Sequence, residues 1–218
     1  MRLTFLGHAA FLIETAGQRI ITDPYSSQIG YAPIHESADV VTISHENPVY
    51  HSCLEELEGD FEVVKGLQIL ETGARMGEVT FGAVEVFEKL PDEGPNAMVW
   101  IESEGLRILH MGDCGPLPSD ETLAKCGKVD VLLALAGGTP TIDLADLMTM
   151  VEKLQPRIII PMHFAVPGLT MSALPVEELE AVWQGEKVRH DGATLEIAAD
   201  DLPGKPQLHL LAPLKVKS

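Results

Sequence analysis

A chain of 218 residues is long enough to bury one sizeable core, and it reads as a single domain over residues 1–218. Fifteen Lys plus Arg against 33 Asp plus Glu leave a formal charge of −18. That balance opposes nucleic acid or an anionic membrane held by phosphate contacts, so the expected partner is a small-molecule substrate or ligand. Cys53, Cys114 and Cys126 form no C-x-x-C pair and no secreted-type framework, which fits a reducing, cytoplasmic location. The chain opens on strand-like Met1-Arg2-Leu3-Thr4-Phe5 rather than on the apolar core of a signal peptide. No apolar run reaches membrane-spanning length.

The first half reads as strand after strand. Leu3 to Leu6, Phe11 to Thr15 and Arg19 to Thr22 are short β-branched or aromatic runs, and Ala16-Gly17-Gln18 between the last two predicts a hairpin. Further strands are expected at Val40 to Ile43, Phe61 to Val64, Leu67 to Leu70, Val79 to Phe87, Ala97 to Ile101 and Leu106 to Met111. The second half alternates strand and helix. Val129 to Leu135 reads as a strand buried on both faces; Asp143 then caps a helix whose Leu144, Leu147, Met148, Val151 and Leu154 recur at helical spacing, and Pro156 stops it. Arg157 to Pro161 is another buried strand, Pro175 to Trp183 a helix, and Ala193 to Ile197 and Gln207 to Leu211 are closing strands. Two strand-rich halves with helices packed beyond them imply an α/β fold, a four-layer αββα sandwich.

Along these elements lie Gly7-His8-Ala9-Ala10-Phe11-Leu12-Ile13-Glu14, Ile21-Thr22-Asp23-Pro24, Ser44-His45, Gly94-Pro95-Asn96, His110-Met111-Gly112-Asp113, Ala136-Gly137-Gly138-Thr139 and Ile160-Pro161-Met162-His163. In this order and spacing the chain resembles the small stand-alone metal-dependent hydrolases of the metallo-β-lactamase superfamily, the branch that includes the L-ascorbate-6-phosphate lactonases. The resemblance implies two adjacent metals on a His-x-His-x-Asp-His turn, a histidine on a later strand, a bridging aspartate and a late histidine. Carried over by position, His45, Asp113 and His163 are in place. Asn47 stands where the second histidine belongs, Val49 where the aspartate does and Tyr50 where the third histidine does; the strand histidine falls on Glu88, before a segment to Asn96 that is shorter than the resemblance implies.

His45, Asn47, Glu88 and Asp113 offer one nitrogen and several oxygens, a set that favours one manganese, magnesium or iron(II) ion over zinc. Around the second position only Asp113 and His163 remain, so a dinuclear zinc centre is not expected. The resemblance also sets Asp23 beneath the ligand turn as a brace, His8 facing the cleft and Thr139 at its wall. A slip of one residue would bring His51 to the last ligand position, but beside a turn it reads first as a surface or capping residue. Cys114 reads as a small buried thiol before it reads as a soft ligand.

Three functions follow. One is a hydrolase of a small ester, lactone or phosphorylated substrate, with Asp113, Glu88 and His163 as catalytic candidates. The alternative is a metal-free, non-catalytic relative whose cleft binds a small molecule or a protein. A metal-independent acid/base enzyme using Glu88 and His163 is a third.

Overall fold

The computed structural model describes residues 1–89 and 94–214. Residues 90–93, in the short segment before Asn96, lie outside them. Strands β1 (Arg2–Gly7), β2 (Ala10–Thr15), β3 (Gln18–Thr22), β4 (Val40–Ile43) and β5 (Glu62–Lys65) open the chain, followed by β6 (Ala74–Met76), β7 (Val79–Phe87), β8 (Pro95–Ser103) and β9 (Leu106–His110). Then come α1 (Asp120–Lys125), β10 (Val131–Leu135), α2 (Leu144–Leu154), β11 (Ile158–Met162), α3 (Val176–Val182), β12 (Glu186–Arg189), β13 (Thr194–Glu196) and β14 (Gln207–Leu210).

These strands form two sheets, ordered β13-β1-β2-β3-β4-β5 and β12-β14-β11-β10-β9-β8-β7-β6. The period-2 side-chain alternation of the first sheet explains how it is buried on both faces. Leu3, Phe5, Phe11, Ile13, Ile20 and Val40 join the large core shared with the second sheet. Their neighbours Leu6, Ala10, Leu12, Ile21, Val41 and Ile43 pack on the opposite face against Tyr25, Ile29, Tyr31 and Ile34. The α-helices lie with the second sheet, where Leu147, Met150, Val151 and Leu179 join the main core. The layer outside the first sheet is instead irregular chain with a 3-10 turn at Ser27–Ile29. The two packed sheets are those of the αββα sandwich, with the outer layer on the first sheet irregular rather than helical.

Asp143 caps α2 through the Asp146 N–H at 2.9 Å, and the helix ends at Gln155 in a left-handed conformation before Pro156. The strand expected at Leu67 to Leu70 is not formed. Gly66–Gln68 is a 3-10 turn, because Gly66 lies so close to Ala97 and Val99 that even a Cβ would crowd them. Leu67, Ile69 and Leu70 pack as a side cluster on Ala83, Ala97 and Val99. The reading also omitted α1, whose start is marked by Ser119 accepting the Thr122 N–H, and the exposed edge strand β12.

Strands β3 and β4 run parallel in one sheet, β9, β10 and β11 in the other. Their C-terminal ends carry Asp23, Ser44-His45, Met111 to Asp113, Gly137 and His163, which places the landmarks at one edge of the sandwich. No helix among the described residues is long and apolar enough to cross a membrane.

Gly137 has no room for a side chain, since a Cβ there would overlap the carbonyl oxygen of His163. Gly137→Ala should therefore destabilise by about 1–3 kcal/mol, the usual cost of overpacking. Gly204→Ala, where the added Cβ meets nothing within 4 Å, should change stability by no more than about 0.5 kcal/mol. Urea unfolding of the two variants checks both.

Candidate metal centre

Asp23 leaves β3 with φ of 37°, a left-handed conformation that aspartate tolerates better than most residues. Its carboxylate is buried and accepts three hydrogen bonds: at Oδ1 from the Ser44 N–H (2.8 Å), and at Oδ2 from Ser44 Oγ (2.5 Å) and from His51 Nδ1 (3.0 Å). Ser44 Oγ in turn lies 3.0 Å from His45 Nδ1. One carboxylate thus orients one imidazole directly and a second through a hydroxyl. Both rings are left with Nε2 facing the cleft.

His51 is fully buried, which overturns its reading as a surface or capping residue. The cause is local. Asn47 accepts the Val49 and Tyr50 N–H groups on its side-chain oxygen, while its carbonyl accepts those of Tyr50, His51 and Ser52 at 3.1, 2.8 and 2.9 Å. The chain therefore winds once, returning His51 to the cleft where an unwound turn would present Tyr50. Asn47-Pro48 is the sequence signal for this, an N-cap residue followed by proline at the first helical position. Val49 is left 40% exposed, outside the cluster.

Asp113 follows Gly112, whose φ is 56° and whose missing Cβ would otherwise strike Asn96. Asn96 holds this loop by accepting the Asp113 N–H at 3.2 Å and donating to the Met111 carbonyl at 3.2 Å. His110, quoted above only as a landmark, accepts the Gly112 N–H at Nδ1 and donates Nε2–H to the Ala9 carbonyl. Asp113 Oδ2 lies 2.9 Å from His51 Nε2, and Oδ1 lies 3.4 Å from His163 Nε2. Glu88 Oε1 lies 3.6 Å from His45 Nε2. His8 places its ring 4.3 Å from that of His163 and 5.1 Å from that of His51.

His45, Glu88, Asp113 and His163, chosen from the sequence as ligand or catalytic candidates, and His8, expected to face the cleft, are thus brought together, with His51 added to them. Asn47 and Thr139 line the cleft above, with Asn47 Oδ1 committed to its own turn. Cys114 is buried in the main core and does not join the cluster; burial pushes its thiol up to about 12.

The charges are interdependent. Burial alone would lower the pKa of His51, but the Asp113 and Asp23 carboxylates outweigh it and raise it to about 10. Burial would raise Asp113, yet His51 and His163 hold it well below the usual carboxylate range. Burial lowers His8, His45 and His163, and His51 adds to the shift in each. Three of the imidazoles, His8, His45 and His163, are thus held toward the neutral donor state beside an ionised Asp113, while His51 would have to release a proton for its Nε2 to coordinate a divalent metal.

The atoms fit such an ion. His51 Nε2 has only the Asp113 carboxylate, 2.9 Å away, while His8 Nδ1 and Nε2, His45 Nε2, His163 Nδ1 and Asp113 Oδ1 are buried without a hydrogen-bond partner. Groups left so ordinarily cost about 1–3 kcal/mol each. One donor atom from each of His45, His51 and Asp113 lies within 4.8 Å of the others, as does one from each of His8, His51 and His163. The cleft above has a volume of about 550 Å³, bounded by Asn47, Tyr50, Glu88, Pro140, Thr141 and Met171 among others. A larger cavity of about 670 Å³ lies between α2, α3 and β14, away from these ligands.

A two-sheet sandwich with clustered imidazoles and a carboxylate at the ends of its parallel strands defines the class as the metallo-β-lactamase fold. A family model described as the beta-lactamase superfamily domain matches residues 2–163, and the chain belongs to this superfamily. A UPF0173 metal-dependent hydrolase of Carboxydothermus hydrogenoformans is 31% identical over 75% of this chain and 84% of its own length. A crystal structure from Thermotoga maritima, assigned to the Zn-dependent hydrolases of the metallo-β-lactamase superfamily, is 29% identical with a TM-score of 0.78, covering 97% of this chain and 98% of its own. An isothiocyanate hydrolase from Delia radicum gut bacteria shares the fold alone, at 13% identity and a TM-score of 0.68 over 91% of this chain and all of its own.

Asp23→Asn would put an amide N–H₂ or lose an acceptor where Ser44 Oγ and His51 Nδ1 now donate. Metal affinity should fall about 10–100-fold, the scale on which such supporting partners act, while the protein remains folded. Competition with a chromophoric chelator measures it.

Proposed function

We propose that the protein is a metal-dependent hydrolase acting on a small, neutral ester or lactone. The observation that carries the reading is the set of buried, unpartnered ligand atoms gathered around Asp113 beneath an open cleft. His45, His51 and Asp113 would hold the metal, with His163 against the other oxygen of Asp113. Counted this way imidazoles outnumber carboxylates, because the winding at Asn47 adds His51, and the preference moves from manganese or magnesium toward zinc or iron(II). Bound there, a divalent ion supplies a Lewis acid and a water acidified toward neutral pH.

The chain's own groups do the rest. Asp23 fixes the ring orientation of His51 and, through Ser44, of His45. Glu88, at the cleft wall beside His45, is placed to take a proton as general base or to serve as an oxygen ligand. Thr139, Thr141 and Ser172 give the opposite wall hydroxyl groups, and Pro140 and Met171 give it apolar surface. Among the described residues the lining contains neither Lys nor Arg, so a phosphorylated substrate would find no side-chain cation in them. That favours a carbonyl electrophile over a phosphoryl one. We propose as well that the domain acts alone, without nucleic acid or membrane.

A specific observation supports the metal-free alternative. His51, as an imidazolium between Asp23 and Asp113, compensates both buried carboxylates without an ion. Metal content and turnover together separate the two. Protein grown with zinc, iron and manganese should retain at least one ion, hydrolyse neutral aryl esters or lactones and leave phosphate monoesters untouched, and chelation should abolish turnover. Glu88→Gln should lower kcat by roughly 10²–10⁴-fold, the range for a general base; unchanged metal content would assign it as base, and a lowered content as ligand. Protein that takes up no ion supports the metal-free binder, and turnover confined to phosphate esters contradicts the substrate class.

A further inference from the structure

One imidazole in the cluster has no part in the ligand set just proposed. His8 lies in the β1–β2 turn at φ of 51°, is fully buried, and has no hydrogen-bond partner at either ring nitrogen. Its backbone is anchored, for its carbonyl accepts the His163 N–H at 2.8 Å. Its ring is not. The contrast within the site is direct, since His110, equally buried, engages both nitrogens.

An unpartnered buried polar group costs about 1–3 kcal/mol, and left-handed backbone at a non-glycine residue adds a cost of similar order. Such costs persist where the site uses the residue. The ring is held within reach of two further imidazoles, with donor atoms of His8, His51 and His163 all within 4.8 Å of one another. On the other side of the cluster the position where the resemblance expects a carboxylate is Val49, which points to solvent.

We infer that His8 is a metal ligand in this chain, completing with His51 and His163 a three-imidazole site beside Asp113 in place of the carboxylate absent at Val49. The inference rests on the metal-dependent reading above and adds a ligand that the signature does not contain. Three imidazole nitrogens with an open fourth position suit zinc, whose catalytic sites have three protein ligands. Asp23 fixes the His51 ring through Nδ1, and zinc would take Nε2 in exchange for the proton now facing Asp113 Oδ2 at 2.9 Å. The three residues follow β1, β4 and β11, so the site joins the two sheets.

The test uses chelator-stripped full-length protein, as wild type and as His8→Ala and His8→Gln, titrated with zinc under chelator competition. Imidazole ¹⁵N resonances of the wild type are followed through the same titration. Zinc should shift a His8 ring-nitrogen resonance, and both variants should bind zinc at least about tenfold more weakly, the lower end of what even supporting residues contribute. Wild type that binds zinc with unmoved His8 resonances, or folded variants with unchanged affinity, overturn the inference and leave the metal-dependent reading standing. If neither variant folds, the wild-type resonances decide alone. Wild type that binds no zinc overturns the inference and the zinc form of that reading together.

Discussion

Everything at the site hangs on one buried carboxylate. Asp23 holds Ser44 by its backbone and its hydroxyl, holds His51 directly, and reaches His45 through Ser44. A carboxylate removed from water is costly unless its oxygens are satisfied. Here hydrogen bonds satisfy both, and the nearby imidazoles help keep its pKa lowered against the effect of burial. Since Asp23 ends β3 and Ser44 ends β4, this contact also fixes the turn that leaves the first sheet. The left-handed conformations of His8, Asp23 and His163 belong to the same constraint. Three non-glycine residues depart from ordinary backbone where the strand ends are drawn together, each at roughly 1–3 kcal/mol.

The second sheet supplies the other half. β9 and β10 deliver Asp113 and Gly137, and Asn96 and His110 brace the Asp113 loop from β8 and β9. Gly137 permits the His163 backbone to pass close by, and the His163 N–H is tied to the His8 carbonyl across the sandwich. Sheet packing is therefore what brings the ligands within reach of one another. Above them the wall at Thr139 to Thr141, Met171 and Ser172 is hydroxylic and apolar, and among the described residues no Lys or Arg lines the cleft.

Most of the fold was legible in the sequence because the strands are short runs of β-branched, aromatic and aliphatic residues, most of them buried on both faces, and the helix at Leu144 carries both a cap and a 3.6-residue period. What failed was local. Leu67 to Leu70 has strand composition, but close packing of Gly66 against Ala97 and Val99 turns the chain instead. The exposed β12 lacks an alternating pattern and forms by pairing with β14, a contact no local window reveals. At the site, aligning the turn residue by residue assumed an unwound backbone, which made Tyr50 the counterpart of a missing histidine. One turn of winding after Asn47-Pro48 puts His51 in the cluster, and that signal was present in the sequence. His8 was placed facing the cleft by the resemblance, but its unpartnered ring depends on how β1 and β11 meet and has no signal in the sequence.

The central proposal is that His51, which the signature does not name, joins the retained His45, Asp113 and His163 to hold a metal. Anomalous diffraction at the zinc absorption edge, from crystals grown with zinc, tests it most directly. The account predicts a peak in the cleft within coordinating distance of His51 and Asp113, with Asp23 still holding His51 Nδ1. No peak there, with His51 remaining paired to both Asp23 and Asp113, would contradict it.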